Sequence, residues 1–284
     1  MKLFVSPHIR RLIDLALDED DLTFDVTSNI FFEGRQASAT LRAKSDLVIA
    51  GLPVFEAVFQ RVDPSLTWTF DVQDGDNVAN GQVFARCTGD ACSLLKAERT
   101  GLNFLQRMSG VATLTRSYVD ALGSGRARVC DTRKTLPGWR ELDKYAVSKG
   151  GGATHRLSLS GGVMLKDNHL AAAGGVKEAM AMVRKSAPHT LRVEVEVENF
   201  DQLEAALEAG AEIIMLDNMS TPDMVTAVKR VREFAGERVL VEASGNITIE
   251  RLPELRDVGL DFISSGALTH SATAADISMR MDIQ

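Results

Sequence analysis

The chain has 284 residues, of which 45% are hydrophobic and 25% are charged, and its formal net charge is −7 at pH 7. This composition is ordinary for a globular protein, and the length allows one large α/β barrel or two domains. The negative net charge argues against nucleic-acid binding as the function. The sequence has no apolar run long enough to predict a signal peptide or a membrane span, so we expect a cytoplasmic protein.

The N-terminal part combines one helix with a β-rich region. Residues 8–18 have the pattern of a short amphipathic helix, and an acidic turn follows them. From about residue 37 to residue 89, alternating and β-branched runs separated by turn pairs predict strands.

A long helix is predicted for residues 91–108, with leucine and methionine side chains at helical spacing on its buried face. Arg99, Asn103 and Arg107 are each four residues apart and form a polar ridge on the other side. Such a ridge is usually a solvated face, and the alternative is that it faces another subunit.

From about residue 126 onward, apolar strands alternate with helices, which predicts a parallel sheet or barrel. Helices are expected around residues 200–209, 222–235 and 248–257, the first capped by Asn199 or Asp201. Six strand candidates stand out, and a seventh is a candidate in the segment THRLSL. A partly filled (β/α) barrel fits this pattern better than an open dinucleotide-binding sheet, because neither GxGxxG nor GxxxxGK[ST] occurs.

Polar groups follow every predicted strand of this region, at the end where the active sites of such barrels lie. The residues at these strand ends are Asp131, Arg133, Lys134, Lys166, Asp167, Asn168, Glu196, Glu198, Asp217, Asn218, Glu242, Ser244, Ser264 and Ser265. Each alone is compatible with an ordinary loop, whereas the whole set at one rim favours a functional site.

The strand VEVEVE at residues 193–198 places Glu194, Glu196 and Glu198 on one side, because strand side chains alternate. Carboxylates facing a barrel interior need cations, which are either lysines and arginines in an ion-pair network or a metal. Asp217 ends the next strand, so Glu196 and Asp217 form a hard oxygen environment that suits Mg2+, held directly or through water.

A basic segment lies between Asp131 and His169, where seven Lys or Arg residues and two His residues outnumber four carboxylates. In an acidic chain this local positive charge indicates a site for small polyanions. The loops EASGN (242–246) and SSGALTH (264–270) place Ser and Gly after successive strands, a composition that suits phosphate binding by backbone N–H groups.

These residues make the chain resemble the quinolinate phosphoribosyltransferase family over essentially its full length. DTRKT, GGGATHR, KDNH, VEVEVE, LDN, EASGN and SGALTH occur in the family's order. The resemblance implies an N-terminal α/β sandwich at 1–109, joined by the tail 271–284, and an incomplete seven-stranded α/β barrel at 110–270. It also implies a homodimer or larger assembly with shared active sites.

The family reaction joins quinolinate to phosphoribosyl pyrophosphate with Mg2+, and gives nicotinate mononucleotide, pyrophosphate and CO2 in NAD biosynthesis. By resemblance, the residues with catalytic roles are Lys134, Lys166, Glu196 and Asp217. The residues expected to hold the quinolinate carboxylates are Arg133, His155, Arg156, Lys166 and, supplied by a second subunit, Arg99. The residues expected at the 5′-phosphate are Ser244, Gly245, Gly266 and His270. Lys134 and Lys166 are expected on the pyrophosphate side. Glu196 and Asp217 are expected at the ribose hydroxyls and Mg2+.

The chain departs from the usual family pattern at Thr154, Ser158 and Gly161, none of which replaces a residue with an assigned charge. Other functions fit parts of the pattern. A Schiff-base aldolase also uses a lysine at a barrel strand end, and Lys134 beside Arg133 is a candidate. A molybdenum-transport-associated relative of the family is nearer, although this chain keeps the KDNH motif from which those relatives depart. A non-enzymatic sensor of a phosphorylated ligand is a third alternative.

Overall fold

The computed structural model describes residues 3–21 and 25–284. The chain forms two compact units. The first unit is built from three segments, Met1–Arg116, Leu136–Gly151 and Ser271–Gln284, and the second from two segments, Ser117–Thr135 and Gly152–His270. No helix in the described ranges is long and apolar enough to span a bilayer.

The elements follow one another along the chain in two groups. Up to Leu122 they are α1 (Pro7–Glu19), α2 (Val26–Phe32), β1 (Gln36–Ala43), β2 (Leu47–Val48), α3 (Leu52–Val62), β3 (Thr69–Phe70), β4 (Asn77–Val78), β5 (Val83–Asp90) and α4 (Ala91–Leu122). After it they are β6 (Arg128–Cys130), α5 (Arg140–Lys149), β7 (Val163–Leu165), α6 (Asp167–Ala173), α7 (Val176–Ser186), β8 (Val193–Val197), α8 (Phe200–Glu208), β9 (Ile213–Asp217), α9 (Thr221–Ala235), β10 (Leu240–Ser244), α10 (Leu252–Leu255), β11 (Phe262–Ser264), α11 (Ala267–His270) and β12 (Ile277–Ile283). Short 3-10 helices lie at Leu159–Gly161, Gly236–Arg238 and Ile249–Arg251.

The first unit contains an antiparallel sheet with the strand order β12-β1-β5-β3. The inward side chains of β1 alternate with outward ones, and Ala37, Ala39, Leu41 and Ala43 are fully buried. The predicted helix at 8–18 is confirmed as α1, whose Ser6 cap accepts a hydrogen bond from the backbone N–H of Ile9.

One helix of the first unit falls in the region for which the sequence predicted strands. In α3, Phe55, Val58 and Phe59 are fully buried, and the two phenylalanine rings pack with centroids 4.7 Å apart. The prediction was wrong here because Val and Phe favour strands by propensity, whereas burial of one helical face decides the local structure.

The second unit is built around a parallel sheet with the strand order β6-β11-β10-β9-β8-β7. The six predicted strands are all present, and the seventh, expected in THRLSL, is not formed. In its place a single parallel bridge joins Ala153 to Cys130 at the end of β6. The parallel sheet confirms the fold class of an incomplete α/β barrel, with six strands among the described residues instead of the seven that were expected.

The predicted helices of the second unit are confirmed with small changes of length. The α8 helix begins after Asn199, whose side chain accepts a hydrogen bond from the N–H of Gln202 at 3.0 Å. The helix expected at 248–257 is shorter, since α10 has four residues and is preceded by a 3-10 turn.

The predicted domain boundaries stay a prediction, and one segment is grouped differently by the compact units. Leu136–Gly151 belongs to the first unit. The physical reason lies in its packing on α4, where the ring of Phe104 stacks on Trp139 at 4.7 Å and Arg107 pairs with the buried Asp143 at 3.4 Å. A long helix and a charged anchor therefore tie this segment to the first unit.

Candidate active site

The carboxyl ends of the six parallel strands lie at one edge of the second unit, because parallel strands all run the same way. This edge carries nearly all of the residues that the sequence singled out. At or just after the strand ends lie Arg133, Lys134, Lys166, Glu196, Asp217, Ser244, Gly245, Gly266 and His270, and the segment after the Ala153 bridge adds His155 and Arg156.

Lys166 and Glu196 form an ion pair at this edge, with 2.6 Å between Nζ and Oε2. Glu196 is largely buried, whereas Lys166 is about half exposed. The KDNH motif has a local structural reason, because the backbone N–H of Lys166 donates to Nδ1 of His169 at 3.0 Å at the start of α6. His169 therefore fixes the point from which the Lys166 side chain extends.

The end of β9 holds Asp217 in a tight turn. The Asn218 amide donates to Oδ2 of Asp217 at 2.6 Å, and its backbone N–H donates to the carbonyl of Ser244 at 3.0 Å. Asn218 has a φ of 54° and Gly245 a φ of 93°. A Cβ at Gly245 would overlap Oδ1 of Asn218 and lie 2.9 Å from its backbone nitrogen, so this loop requires glycine. The sequence identified Asn218 only as a strand-end residue and missed this supporting contact.

The loop after β11 lies against the segment that carries Lys134. The hydroxyl of Thr269 donates to the carbonyl oxygen of Lys134 at 2.7 Å. A Cβ at Gly266 would lie 2.7 Å from Cδ of Lys134 and 3.1 Å from Cδ2 of His270. The structure thus brings together three of the residues that the sequence assigned to phosphate and pyrophosphate.

Two arginines of the site lie close enough to repel each other. The pKa of Arg156 is lowered, first by burial of its guanidinium and then by the charge of Arg133. Arg156 donates to the carbonyl of Gly162 at 2.8 Å, and Nε of Arg133 is buried without a hydrogen-bond partner among the described residues. Two partly desolvated guanidiniums with unused donor capacity make a favourable position for a carboxylate.

Beside these arginines lies a set of buried acidic residues, Asp131, Glu194 and Glu242, which are each at most 4% exposed. His155 bridges them. Its backbone N–H donates to Oδ1 of Asp131 at 2.8 Å, and its Nε2 lies 3.1 Å from Oε2 of Glu194. The sequence placed Glu194 inside the barrel but assigned no role to this set, although a glutamate within each of the strands VEVEV and LVEAS was the available signal.

Single donor atoms from His155, Glu194 and Glu242 lie within 4.8 Å of one another, which is a spacing that a metal ion can use. The hydrogen bonding opposes a metal here. The backbone N–H of Arg156 donates to Nδ1 of His155 at 2.7 Å, so Nδ1 presents its lone pair and the ring proton resides on Nε2. Nε2 is then a donor toward the carboxylates and has no lone pair for a metal.

Burial and like charge perturb the pKa of this set. The pKa of Glu242 is raised to about 7, first because the carboxyl is buried and then because Glu194 is nearby. His155 acts in the opposite direction on this pKa. At neutral pH Glu242 therefore carries a proton in a large fraction of the molecules.

Arg99 lies in the first unit, on an exposed position of α4. Its neighbour on the polar ridge, Arg107, instead donates to the carbonyl of Ala272 at 3.1 Å and pairs with Asp143. The predicted ridge is therefore divided between a structural arginine and an exposed one. Delivery of Arg99 to a site of another subunit stays a prediction.

The three departures from the family pattern all lie in the loop near Arg156. Thr154 is exposed, the hydroxyls of Ser158 and Ser160 lie 2.8 Å apart, and a Cβ at Gly161 would lie 3.4 Å from Cβ of Arg156. These are ordinary surface contacts, and none replaces a charged group of the site.

Comparison with known families assigns most of the chain. Residues 21–109 match the family profile of the quinolinate phosphoribosyl transferase N-terminal domain, and residues 111–280 match that of the C-terminal domain. The chain belongs to the quinolinate phosphoribosyltransferase family. The prediction of this family from the sequence motifs is confirmed.

Relatives within the quinolinate phosphoribosyltransferase family are similar over most of their length. A probable nicotinate-nucleotide pyrophosphorylase (carboxylating) of Bacillus subtilis is 41% identical over 271 residues, which are 95% of this chain and 92% of the relative. A chloroplastic nicotinate-nucleotide pyrophosphorylase (carboxylating) of Arabidopsis thaliana is 42% identical over 293 residues, which are 97% of this chain and 83% of the relative. The crystal structure of NadC from Streptococcus pyogenes is 42% identical in sequence, with a TM-score of 0.95. The match covers 100% of this chain and 99% of the NadC chain.

Proposed function

We propose that this chain catalyses the transfer of a phosphoribosyl group from phosphoribosyl pyrophosphate to quinolinate with loss of CO2. The products are nicotinate mononucleotide and pyrophosphate, and the reaction serves de novo NAD biosynthesis. The observation that carries the proposal is the close pair of Arg133 and Arg156 in a member of the quinolinate phosphoribosyltransferase family, since a dicarboxylate ligand relieves their repulsion.

Quinolinate is held by its two carboxylates in this proposal. Arg133 and Arg156 supply guanidinium forks, and Lys166 adds an ammonium group at the end of β7. The Lys166–Glu196 ion pair holds this ammonium group in place before the substrate arrives. His155 was assigned to the same carboxylates by resemblance, although both of its ring nitrogens already have partners within the unit.

The phosphate groups of the second substrate bind at the later strand ends. Ser244 and Gly245 follow β10, and Gly266 opens the loop to His270 after β11. Lys134 lies beside Gly266 and neutralises the pyrophosphate as it leaves.

Glu196 and Asp217 are the residues that would hold Mg2+, directly or through water. Both offer carboxylate oxygens on neighbouring strands, and Oδ2 of Asp217 is already fixed by Asn218. When bound, Mg2+ supplies charge neutralisation for the pyrophosphate group. The same carboxylates stabilise the positive charge that develops on the ribose ring as its bond to pyrophosphate lengthens.

The bond changes follow from this arrangement. The pyridine nitrogen attacks C1 of the ribose as pyrophosphate leaves, and the nitrogen becomes a quaternary cation. The adjacent C2–carboxylate bond then breaks, and its electron pair remains on C2 beside the positive nitrogen until C2 takes up a proton. No covalent bond to the enzyme is required.

A homodimer or larger assembly completes the proposal. Arg99 is exposed in the first unit and available to a second copy of the chain. In the same unit α2 exposes the apolar side chains Ile30 and Phe31, at 70% and 63%, and burial against another subunit would remove this apolar surface from water. A cytoplasmic location is also part of the proposal, and the Arabidopsis relative is named as chloroplastic.

The experiment that tests the function is product analysis with phosphoribosyl pyrophosphate and Mg2+, using quinolinate and nicotinate in parallel. We expect nicotinate mononucleotide and CO2 from quinolinate, with little product from nicotinate. Turnover of nicotinate alone would overturn the substrate assignment and keep the fold. Ligand binding without turnover of either would favour the molybdenum-associated relative or a sensor, and borohydride trapping of a lysine with a carbonyl substrate would favour an aldolase.

A further inference from the structure

The buried acid cluster, defined as Asp131, Glu194 and Glu242, has no part in the steps proposed above. Each residue is at most 4% exposed, and the cluster lies beside His155 and Arg156. Oε1 of Glu194 and Oε1 of Glu242 are buried without hydrogen-bond partners among the described residues. Carboxyl groups buried in this way are costly, so a role beyond stability is expected.

His155 connects the acid cluster to Arg156. The backbone N–H of Arg156 donates to Nδ1 of His155, so the ring is neutral and its proton on Nε2 points toward Glu194, with Oε1 of Glu242 at 4.0 Å. Protonation of Nδ1 would place a second N–H against the N–H of Arg156. The cluster therefore selects one tautomer, and this tautomer holds the backbone of the arginine.

The groups that act on Glu242 come from several strands of the sheet and from the segment after the Ala153 bridge. Glu194 lies on β8, Asp131 follows β6, Ser264 ends β11, and His155 follows the Ala153 bridge. Burial, Glu194 and Asp131 raise the pKa of Glu242, whereas His155 and Ser264 lower it, and the result is about 7. Arg156 is a further charged neighbour of Glu194, and this carboxylate partly offsets the lowering of the Arg156 pKa by burial and Arg133.

We propose that Glu242, together with Glu194, is a positioning residue that holds His155 as the neutral Nε2–H tautomer and thereby fixes Arg156 for dicarboxylate binding. The proposal rests on the proposed function of the site. Glu242 acts through His155 and not on the reacting atoms. Ionisation of Glu242 adds negative charge near the arginines and weakens the binding of a dianion.

The first test compares Glu242→Ala, Glu242→Gln and the surface control Glu233→Gln. In Glu242→Ala the KM for quinolinate rises roughly tenfold or more, because His155 no longer holds Arg156 in the orientation that binds the dicarboxylate, while kcat changes less. Glu242→Gln keeps the volume and a neutral polar group, so its KM stays within about threefold of the wild-type value. Equal kcat and KM values for Glu242→Ala and wild type would overturn the proposal.

The second test is the pH profile of KM for quinolinate between pH 6 and pH 8. This pH profile tests the positioning role of Glu242 even if Glu242→Ala does not fold. The KM of the wild-type enzyme rises as the pH passes about 7, whereas the KM of Glu242→Gln stays flat across this window. Parallel pH profiles for the two proteins would contradict the proposal.

The third test does not depend on turnover, so it separates failure of this proposal from failure of the proposed function. The 15N chemical shifts of the histidine rings are measured in the wild-type protein, with His155→Asn used to assign the His155 signals. We expect the pattern of the neutral Nε2–H tautomer at pH 6.5. An imidazolium pattern at that pH would refute the positioning role, even if the protein converts quinolinate.

Discussion

Replacement of Glu242 by glutamine should make the protein more stable at alkaline pH and change its stability little at acidic pH. The carboxyl group is 3% exposed and lies beside Glu194, so its ionised form is unfavourable in the folded state. Glutamine has nearly the same shape and carries no charge. The substitution therefore removes the ionisation and retains the packing.

The magnitude follows from the shift in pKa. The pKa of Glu242 is raised from 4.5 to about 7, and each pKa unit corresponds to 1.36 kcal/mol. Below pH 4.5 the carboxyl is protonated in both folded and unfolded protein. As the pH rises to about 7, the unfolded protein releases this proton first, so the free energy of unfolding falls by about 3 kcal/mol and is constant above that window.

The assay is thermal unfolding at pH 5 and pH 8, measured by circular dichroism with the same ionic strength in both buffers. The difference in Tm between Glu242→Gln and wild type should grow by roughly 5–10 °C from pH 5 to pH 8, because part of the change is already complete at pH 5 and 1 kcal/mol shifts Tm by about 2–4 °C at this size. Glu233→Gln, at an exposed position, serves as the control and should show no such growth. A constant difference between Glu242→Gln and wild type would refute the reasoning about the buried carboxyl.

Three further predictions concern the shared site, the glycine turn and the base of the second unit. Arg99→Ala and Lys134→Ala should each be nearly inactive, and mixing them should restore activity in roughly a quarter of the sites after random dimer exchange. The absence of recovery after verified subunit exchange, followed by mass spectrometry of labelled chains, would contradict a shared site. Gly245→Ala should be destabilising by at least about 3 kcal/mol in urea unfolding, whereas the control Gly81→Ala, at a similar φ with open space around it, should be destabilising by about 1–2 kcal/mol. Equal losses of stability in Gly245→Ala and Gly81→Ala would contradict the argument that a Cβ at Gly245 overlaps Asn218. Asp261→Asn should lower the free energy of unfolding by about 3 kcal/mol, because this carboxylate accepts hydrogen bonds from two arginines and a backbone N–H. Its lowered pKa means that the stabilisation is lost as the pH falls into the acid range, so the variant and wild type should converge there in acid titrations of stability.

Much of the second unit was predictable because the sequence signals there are local. Alternating apolar strands and capped helices predict a parallel sheet, and polar residues after each strand identify the edge at which Glu196, Asp217 and Ser244 lie. The ion pair between Lys166 and Glu196 agrees with the expectation that carboxylates inside a barrel need cations. Motif order was also sufficient to predict the family.

Other features depend on contacts between distant segments or on local signals that composition obscures. The helix α3 has the β-branched and aromatic composition of a strand, although its buried residues Val54, Phe55, Val58 and Phe59 recur at helical spacing. The segment THRLSL has a β-like pattern, but its position beside β6 is limited to the single bridge at Ala153. The role of Glu242 required knowledge that the neighbouring strands bring it to His155 and Glu194.

The position of β12 has a consequence for synthesis of the protein on the ribosome. β1 lies between β5 and β12, and its ladder with β12 pairs Ala37 with Ile283 and Ala43 with Ile277. Residues 277–283 are translated after every strand of the second unit. Until they emerge, one edge of β1 has unpaired backbone groups, which are a template for unwanted strand pairing. The second unit is thus complete in sequence before the first can close its sheet, although the first begins the chain.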